Sequence, residues 1–472
     1  MSQAAVTTEQ PTMASVAAPA ATMRLNAFQR LMRRWNTLGP YTAGQVMQVT
    51  GAADVERWQT AVQAVLAETG LGRPKVSVPD TQACFLPVGR VPIDQPNATW
   101  YDHASAELNR PFGPEDLPLR FFVVPAEPSA RVPESHFLGV IYDHWVADSR
   151  AMRELMHRIY LRYAADGEAA APLTPLTVEN PSFRRLYRAH LGPWLRWSAL
   201  RQSLRNIVAH RRAHRINLRD PLDFTSRLVY RQLPAGLIDR VHEWGRQRQA
   251  SVNDVFLTVI AQTMGRVTAP DRYRKRRRRL HLQRRQVALG TIVDIRDYAA
   301  QPLDQVFGLY LSSYSVVLER PEATDANTLV ETIRLRTQKI KADQGMVRGF
   351  AALETARRWW DWFPHPRRQA QLFYKTIPIT AGISNVKMSA SWVQAAESDA
   401  GDTVADATPR VLDYLRISPV GPLLPLVFTL TTMGDRLSLC VTFRTTAFTE
   451  EQAGAIVDEF IARLEKLPAA AK

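Results

Sequence analysis

The stretch Ser135 to Gly167, SHFLGVIYDHWVADSRAMRELMHRIYLRYAADG, constrains the fold more than any other part of the chain. It opens on an apolar run, Phe137 to Tyr142, and the pattern then changes within a few residues. From Ser149 onward, Met152, Leu155, Met156, Ile159, Tyr160 and Tyr163 recur with the spacing of a single helix face. A short apolar run that gives way to a helical period reads as a buried strand, a sharp turn and a helix. The turn carries His144 and Asp148, four positions apart. Asp148 or Ser149 is placed to cap the free backbone N–H groups that open the helix.

A histidine at a strand end is held by the sheet and can still face a cleft. Its ordinary pKa near neutrality lets it take a proton from a hydroxyl, amine or thiol. A base needs a group to fix its orientation, and an aspartate one turn away is a candidate. Surface pairs and satisfied buried pairs show the same spacing, so spacing alone leaves a structural role open.

H-x-x-x-D behind a buried strand resembles the active-site motif of the coenzyme-A-dependent acyltransferase superfamily. That group includes chloramphenicol acetyltransferase, plant acyltransferases, wax ester synthases and the condensation domains of nonribosomal peptide synthetases. His144 matches the second His of the condensation-domain pattern H-H-x-x-x-D-G, and Asp148 matches its aspartate. Asp143 stands where the first His would be and Ser149 where the Gly would be. The plant-type motif does not demand the first His, but the D-F-G-W-G stretch of the plant enzymes is missing from this sequence.

The 472 residues suffice for two domains, each with its own core. A hydrophobic share of 46% and a charged share of 22% describe a soluble globular protein. No apolar run is long enough to span a bilayer. Cys84 and Cys440 fit no metal or redox spacing and point to a reducing compartment. The net charge of +15 favours anionic partners: coenzyme A phosphates, an acidic carrier protein, an anionic membrane or nucleic acid.

Residues 1–23, rich in Ala, Thr, Ser, Gln and Pro, read as a disordered tail without a secretory pattern. Residues 24–172 read as an N-terminal subdomain: a helix with Phe28, Leu31 and Trp35, a strand at Gln45–Val49, a helix at Asp54–Thr69, and paired strands Arg120–Val124 and Phe137–Tyr142. Residues 173–222 read as a basic helical linker, in which Trp197, Leu200, Leu204, Ile207 and Val208 form an apolar stripe. Burial of that stripe against the body is expected over docking on a membrane surface or a partner.

Residues 223–472 read as the C-terminal subdomain. Ser251 and Asp254 form a capping box ahead of a helix, and the stretch VNDVFL resembles wax ester synthase and condensation-type sequences. The run Arg272–Arg285 reads as a solvated basic loop rather than a nucleic-acid patch, since it lies between a helix and a buried strand. TIVDIRDY is similar to the superfamily segment whose Arg pairs with the motif aspartate. The resemblance puts that role on Arg296, with a bidentate bond to Asp148 that holds the turn. GLYLSSYSVV resembles the stretch where a Gly, here Gly308, leads into a strand bordering the acyl pocket. ITAGISNVKMS resembles the S-N-V strand end beside the cleft, with Ser384 and Asn385 as donors to substrate or oxyanion. Trp359, Trp360, Trp362 and Phe363 read as core packing over a pocket lining. A hairpin turning at Gly434-Asp435 and a helix capped by Thr449 and Gln452 close the chain.

The resemblance implies an α/β fold of two chloramphenicol acetyltransferase-like subdomains with mixed sheets and an active-site tunnel between them. It implies an acyltransferase in lipid or specialised metabolism, working in the cytoplasm or at the inner face of the membrane. His144 would be the general base, and Asp148 and Arg296 would be orienting residues. Asp143, Ser149, Gly308, Ser384 and Asn385 are candidates for substrate binding. No metal and no bound cofactor is called for. The co-substrate would be acyl-coenzyme A or an acyl thioester on phosphopantetheine, and the acceptor a small alcohol or amine. Two other readings stand beside it: an inactive condensation-like docking module, and, least favoured, a nucleic-acid-binding protein built on the Arg-rich segments.

Overall fold

The computed structural model describes residues 21–128, 134–165, 174–191, 195–273, 284–342, 345–389, 392 and 409–467. Most of the expected tail, and residues 274–283 of the Arg-rich run, lie outside the described residues. The first seven strands are β1 (Ala21–Arg24), β2 (Thr42–Thr50), β3 (Arg73–Val76), β4 (Gln82–Leu86), β5 (Ile93–Asp94), β6 (Leu119–Pro125) and β7 (Ser135–Asp143). The last seven are β8 (Ser226–Gln232), β9 (Gln286–Asp294), β10 (Leu311–Glu319), β11 (Ala381–Lys387), β12 (Val411–Ile417), β13 (Leu426–Met433) and β14 (Arg436–Arg444). They form a sheet of order β12-β2-β7-β6-β5, a second of order β10-β9-β11-β13-β14-β8, and a small sheet β1-β4-β3. Both larger sheets are mixed: β5 runs parallel to β6, and β11 runs parallel to both β9 and β13.

Two of the expected boundaries are corrected. Ala21 to Met23, read as tail, belong to β1, where pairing with β4 supplies backbone partners that composition does not reveal. The segment 223–472 is not one body in space, because β12 leaves it to pair with β2 of the N-terminal half. Without β12, β2 would expose an unpaired edge.

The strand that delivers His144 is covered on both faces, which is why its sequence is a continuous apolar run rather than an alternation. One face carries Leu138, Val140 and Tyr142 into a cluster with Trp58, Val62, Leu155 and Ile159 of the helices Val55–Thr69 and Ser149–Ala164. Ile141 lies in a separate cluster with Trp100 and Phe122. Gly139 pairs with Phe122 across the ladder, and a Cβ there would meet the Phe122 ring at 2.0 Å. That glycine lets the aromatic ring lie flat over the sheet.

The second half packs the helices Val252–Tyr273 and Glu450–Glu465 behind the six-stranded sheet through Phe256, Phe428 and Phe460. Ser251 and Asp254 cap the first of these reciprocally, and Thr449 and Gln452 cap the second. The basic helix Leu195–His210 leaves Trp197 69% exposed, Leu204 52% and Val208 61%, so the expected burial of its stripe does not hold at these residues. Arg272, read as part of a solvated loop, is buried and pairs with Glu322 at 2.6 Å. A guanidinium satisfied by a carboxylate and the Gly265 carbonyl has no need of solvent. Trp359 lines the central cavity, Trp360 is buried, and Trp362 is 79% exposed. Among the described residues, no helix is long and apolar enough to cross a membrane.

Candidate active site

The turn after β7 is held from both halves. The His144 N–H donates to the Tyr41 carbonyl at 3.2 Å, and the Asp148 N–H donates to the Gly308 carbonyl at 3.1 Å. The His144 ring is buried, stacked on Tyr41 and edge-on to Tyr142. Its Nδ1 lies 2.9 Å from the Ala147 carbonyl oxygen. A carbonyl can only accept, so Nδ1 carries the proton and Nε2 keeps its lone pair. Burial pulls the imidazole pKa below its ordinary 6.5, against the opposing pull of the Ala147 carbonyl and the Asp148 charge. The ring is therefore a neutral base at neutral pH, with Nε2 as its basic atom.

Asp148 is wholly buried and caps the helix Ser149–Ala164. One carboxylate oxygen accepts from the N–H groups of Arg150 and Ala151 at 3.0 and 2.9 Å. The other accepts from the Tyr310 N–H at 2.8 Å and from Arg296 Nη1 at 2.8 Å. Burial alone would raise this carboxyl, but Arg296 and the N–H donors outweigh it and hold it below the ordinary carboxylate range. The expected pairing of Arg296 with Asp148 is present. Nη1 makes the shortest contact to both Asp148 and Asp294, the latter at 3.2 Å, while Nη2 turns to the Gly308 carbonyl at 3.5 Å. The guanidinium also lies over the Tyr310 ring, 4.8 Å from its centroid.

A cavity of about 470 Å³ lies between the two halves. The N-terminal half lines it with Phe28, Trp35, Gln45, Tyr142, His144, Ser149 and Arg153. The C-terminal half adds Thr291, Asp294, Ser384, Asn385, Val386 and Arg416. Most of the remaining wall is apolar, with Leu31, Met32, Leu353, Phe373, Ile379, Leu424 and Val427. Of the residues named from the sequence, His144, Ser149, Ser384 and Asn385 meet here. Asn385 Oδ1 is buried without a hydrogen-bond partner among the described residues.

Asp143 and Gly308 do not line the cavity, which corrects both as substrate-binding candidates. The Asp143 carboxylate is used internally, accepting from Asn36 Nδ2 at 2.7 Å and Trp145 Nε1 at 2.8 Å. Burial pushes this carboxyl up to about 6, against those two hydrogen bonds. Gly308 acts through its carbonyl, which accepts from the Asp148 N–H, and so serves the turn rather than the pocket.

Arg416 and Arg153 are among the cavity residues that escaped the sequence reading. Arg416 is 2% exposed, and its N–H groups go to neutral acceptors: Thr431, Ser149 and Ser384 hydroxyls, and the Ser384 and Leu430 carbonyls. Its signal was an arginine inside the largely apolar strand VLDYLRI, which also carries Asp413 and where a charge needs a reason. Arg153 lies off the apolar stripe of its helix and carried no signal. Among the described residues, no group of His, Cys, Asp and Glu is arranged to hold a metal ion.

No family model and no curated protein matches the sequence. Solved structures do match over almost the whole chain. The first condensation domain of the CDA synthetase is similar at a TM-score of 0.64 and 14% identity, covering 96% of this chain and 98% of its own. Polyketide synthase associated protein 5 from Mycobacterium tuberculosis is similar at a TM-score of 0.60 and 14% identity, covering 96% and 100%. The X-domain from teicoplanin biosynthesis is similar at a TM-score of 0.55 and 15% identity, covering 97% and 96%. The chain thus has the two-part fold of the condensation domains.

Proposed function

We propose that the protein moves an acyl group from a thioester to a hydroxyl or amine acceptor, with His144 as general base. The observation that carries this reading is a buried neutral imidazole whose basic Nε2 belongs to a residue lining an apolar cavity. In the reaction, Nε2 takes the acceptor's proton as its oxygen or nitrogen attacks the thioester carbonyl carbon. The carbonyl becomes a tetrahedral oxyanion, for which the Ser384 hydroxyl and the Asn385 amide N–H groups are polar candidates in the wall. The carbon–sulfur bond then breaks, and the imidazolium returns the proton to the departing thiolate. Asp148 takes no proton in this scheme. It is saturated by donors and holds the turn.

The donor is a thioester of coenzyme A or of phosphopantetheine on a carrier protein. The net charge of +15 suits an acidic carrier. The test is thiol release from acyl-coenzyme A and acyl-carrier thioesters, with pooled alcohols and amines as acceptors. Release that requires both an acceptor and His144 is expected, and the preferred donor then identifies the carrier. Release unchanged in His144→Ala, or none from any donor with the fold intact, sinks the reading.

A second reading is a docking module that keeps the fold without turnover. It is favoured by one observation: the X-domain, similar in fold, was solved in complex with OxyB. Carrier-protein binding without thiol release would support it.

A further inference from the structure

The cavity holds more positive charge than it balances. Asp294 is the one carboxylate among its described lining residues, and it already pairs with Arg150 at 3.1 Å and Arg296 at 3.2 Å. Arg153 and Arg416 line the same cavity, and neither meets a carboxylate among the described residues. Both donate to one oxygen, Ser149 Oγ, at 3.3 and 3.2 Å, and Gln45 Nε2 donates to it as well at 3.3 Å. Two guanidiniums that share a single hydroxyl stand close enough to repel. An anion between them would relieve that repulsion.

The two arginines differ in what they can offer. Arg416 has every N–H committed to hydroxyls and carbonyls, so it contributes charge rather than a free donor. Among the described residues, Arg153 makes one hydrogen bond, through Nη1, and its remaining N–H groups have no partner. Ser149 receives three donors and gives its own proton to none of them. Burial pulls Arg416 down to about 9 and lowers Arg153, yet both stay cationic at neutral pH.

We propose that the substrate of this cavity is an apolar molecule bearing a carboxylate, which binds the Arg153 fork and the Ser149 hydroxyl in the field of Arg416. One free guanidinium fork matches one carboxylate in geometry and charge. The remaining wall fits an alkyl or aryl body. This inference rests on the acyl-transfer reading for the word substrate, but the binding site itself does not depend on turnover.

The experiment is calorimetric titration of the full chain with decanoate and with decanol, which share a chain length and differ in charge. Wild type is expected to bind decanoate about tenfold or more tightly than decanol. In Arg153→Gln the preference should collapse to near unity while decanol binding is unchanged, and Arg153→Lys should restore part of it. Because Arg416 is buried and its loss threatens the fold, Arg153 carries the test. His144→Ala should retain the preference. No thiol release from wild type with any donor, beside an intact decanoate preference, would therefore sink acyl transfer alone. No measurable decanoate binding, equal affinity for both ligands in wild type, or an undiminished preference in Arg153→Gln overturns the proposal.

Discussion

A base works at the pH where its lone pair is free, and the surroundings of His144 move that range downward. Its pKa is pulled below 6.5 by burial, so the acid limb of kcat/KM should fall below pH 6.5. A pH–rate profile with its acid midpoint above 6.5 would contradict the buried neutral imidazole. Asp143, next in the chain, shifts the opposite way. Its folded carboxyl is raised from 3.8 to about 6, so protonation favours the folded state. The stability it contributes is complete below 3.8 and is lost as pH rises through about 6. Comparing urea unfolding of wild type and Asp143→Asn at pH 7 and pH 4, wild type should gain up to about 3 kcal/mol on the variant at the lower pH. At this scale the sequence was legible where a residue type announces its chemistry, as at His144. It was misleading at Asp143, where position in a motif suggested substrate and the side chain serves Asn36 and Trp145. It was silent at Arg153, since a charge off the apolar stripe of a helix ordinarily faces water.

The element that matters most is the turn between β7 and the helix Ser149–Ala164. It is fastened at Asp148 by four donors, of which two come from its own helix and two from the other half of the molecule. Arg296→Ala leaves a buried carboxylate short of its charge partner and should cost about 3–5 kcal/mol in urea unfolding. Because one nitrogen makes the shortest contact to both Asp148 and Asp294, Arg296→Lys should keep a measurable part of that stability. Equal losses in the two variants would mean that the fork geometry matters after all. The strand and the helix here were legible because their periods differ so sharply. The Asp148–Arg296 contact came only from resemblance, since nothing in the spacing of residues so far apart reveals that they touch. The exposed face of Leu195–His210 shows the converse, a regular apolar stripe that implied burial and did not receive it at Trp197, Leu204 and Val208.

Across the whole molecule the two halves are joined by more than the cavity. β12 pairs with β2 along Val411–Ile417, while its Arg416 donates to carbonyls on β11 and β13 and its Asp413 accepts from Ser438 on β14. The halves should therefore unfold together. Tryptophan fluorescence and far-ultraviolet circular dichroism are expected to give coincident urea transitions, and two separated transitions would refute the coupling. The order of elements along the chain was readable, but the place of β12 was not. A strand's own sequence states that it is buried without naming its neighbour. The same crossing limits how such a protein can be recombined. A chimera spliced once between residues 173 and 222 would unite one parent's first half with the other parent's β12. The native neighbour of β2, and the arginine facing the cavity, would then be foreign to the sheet they complete. Grafting a new first half onto this scaffold requires two junctions, with Val411–Ile417 travelling alongside the residues it pairs with.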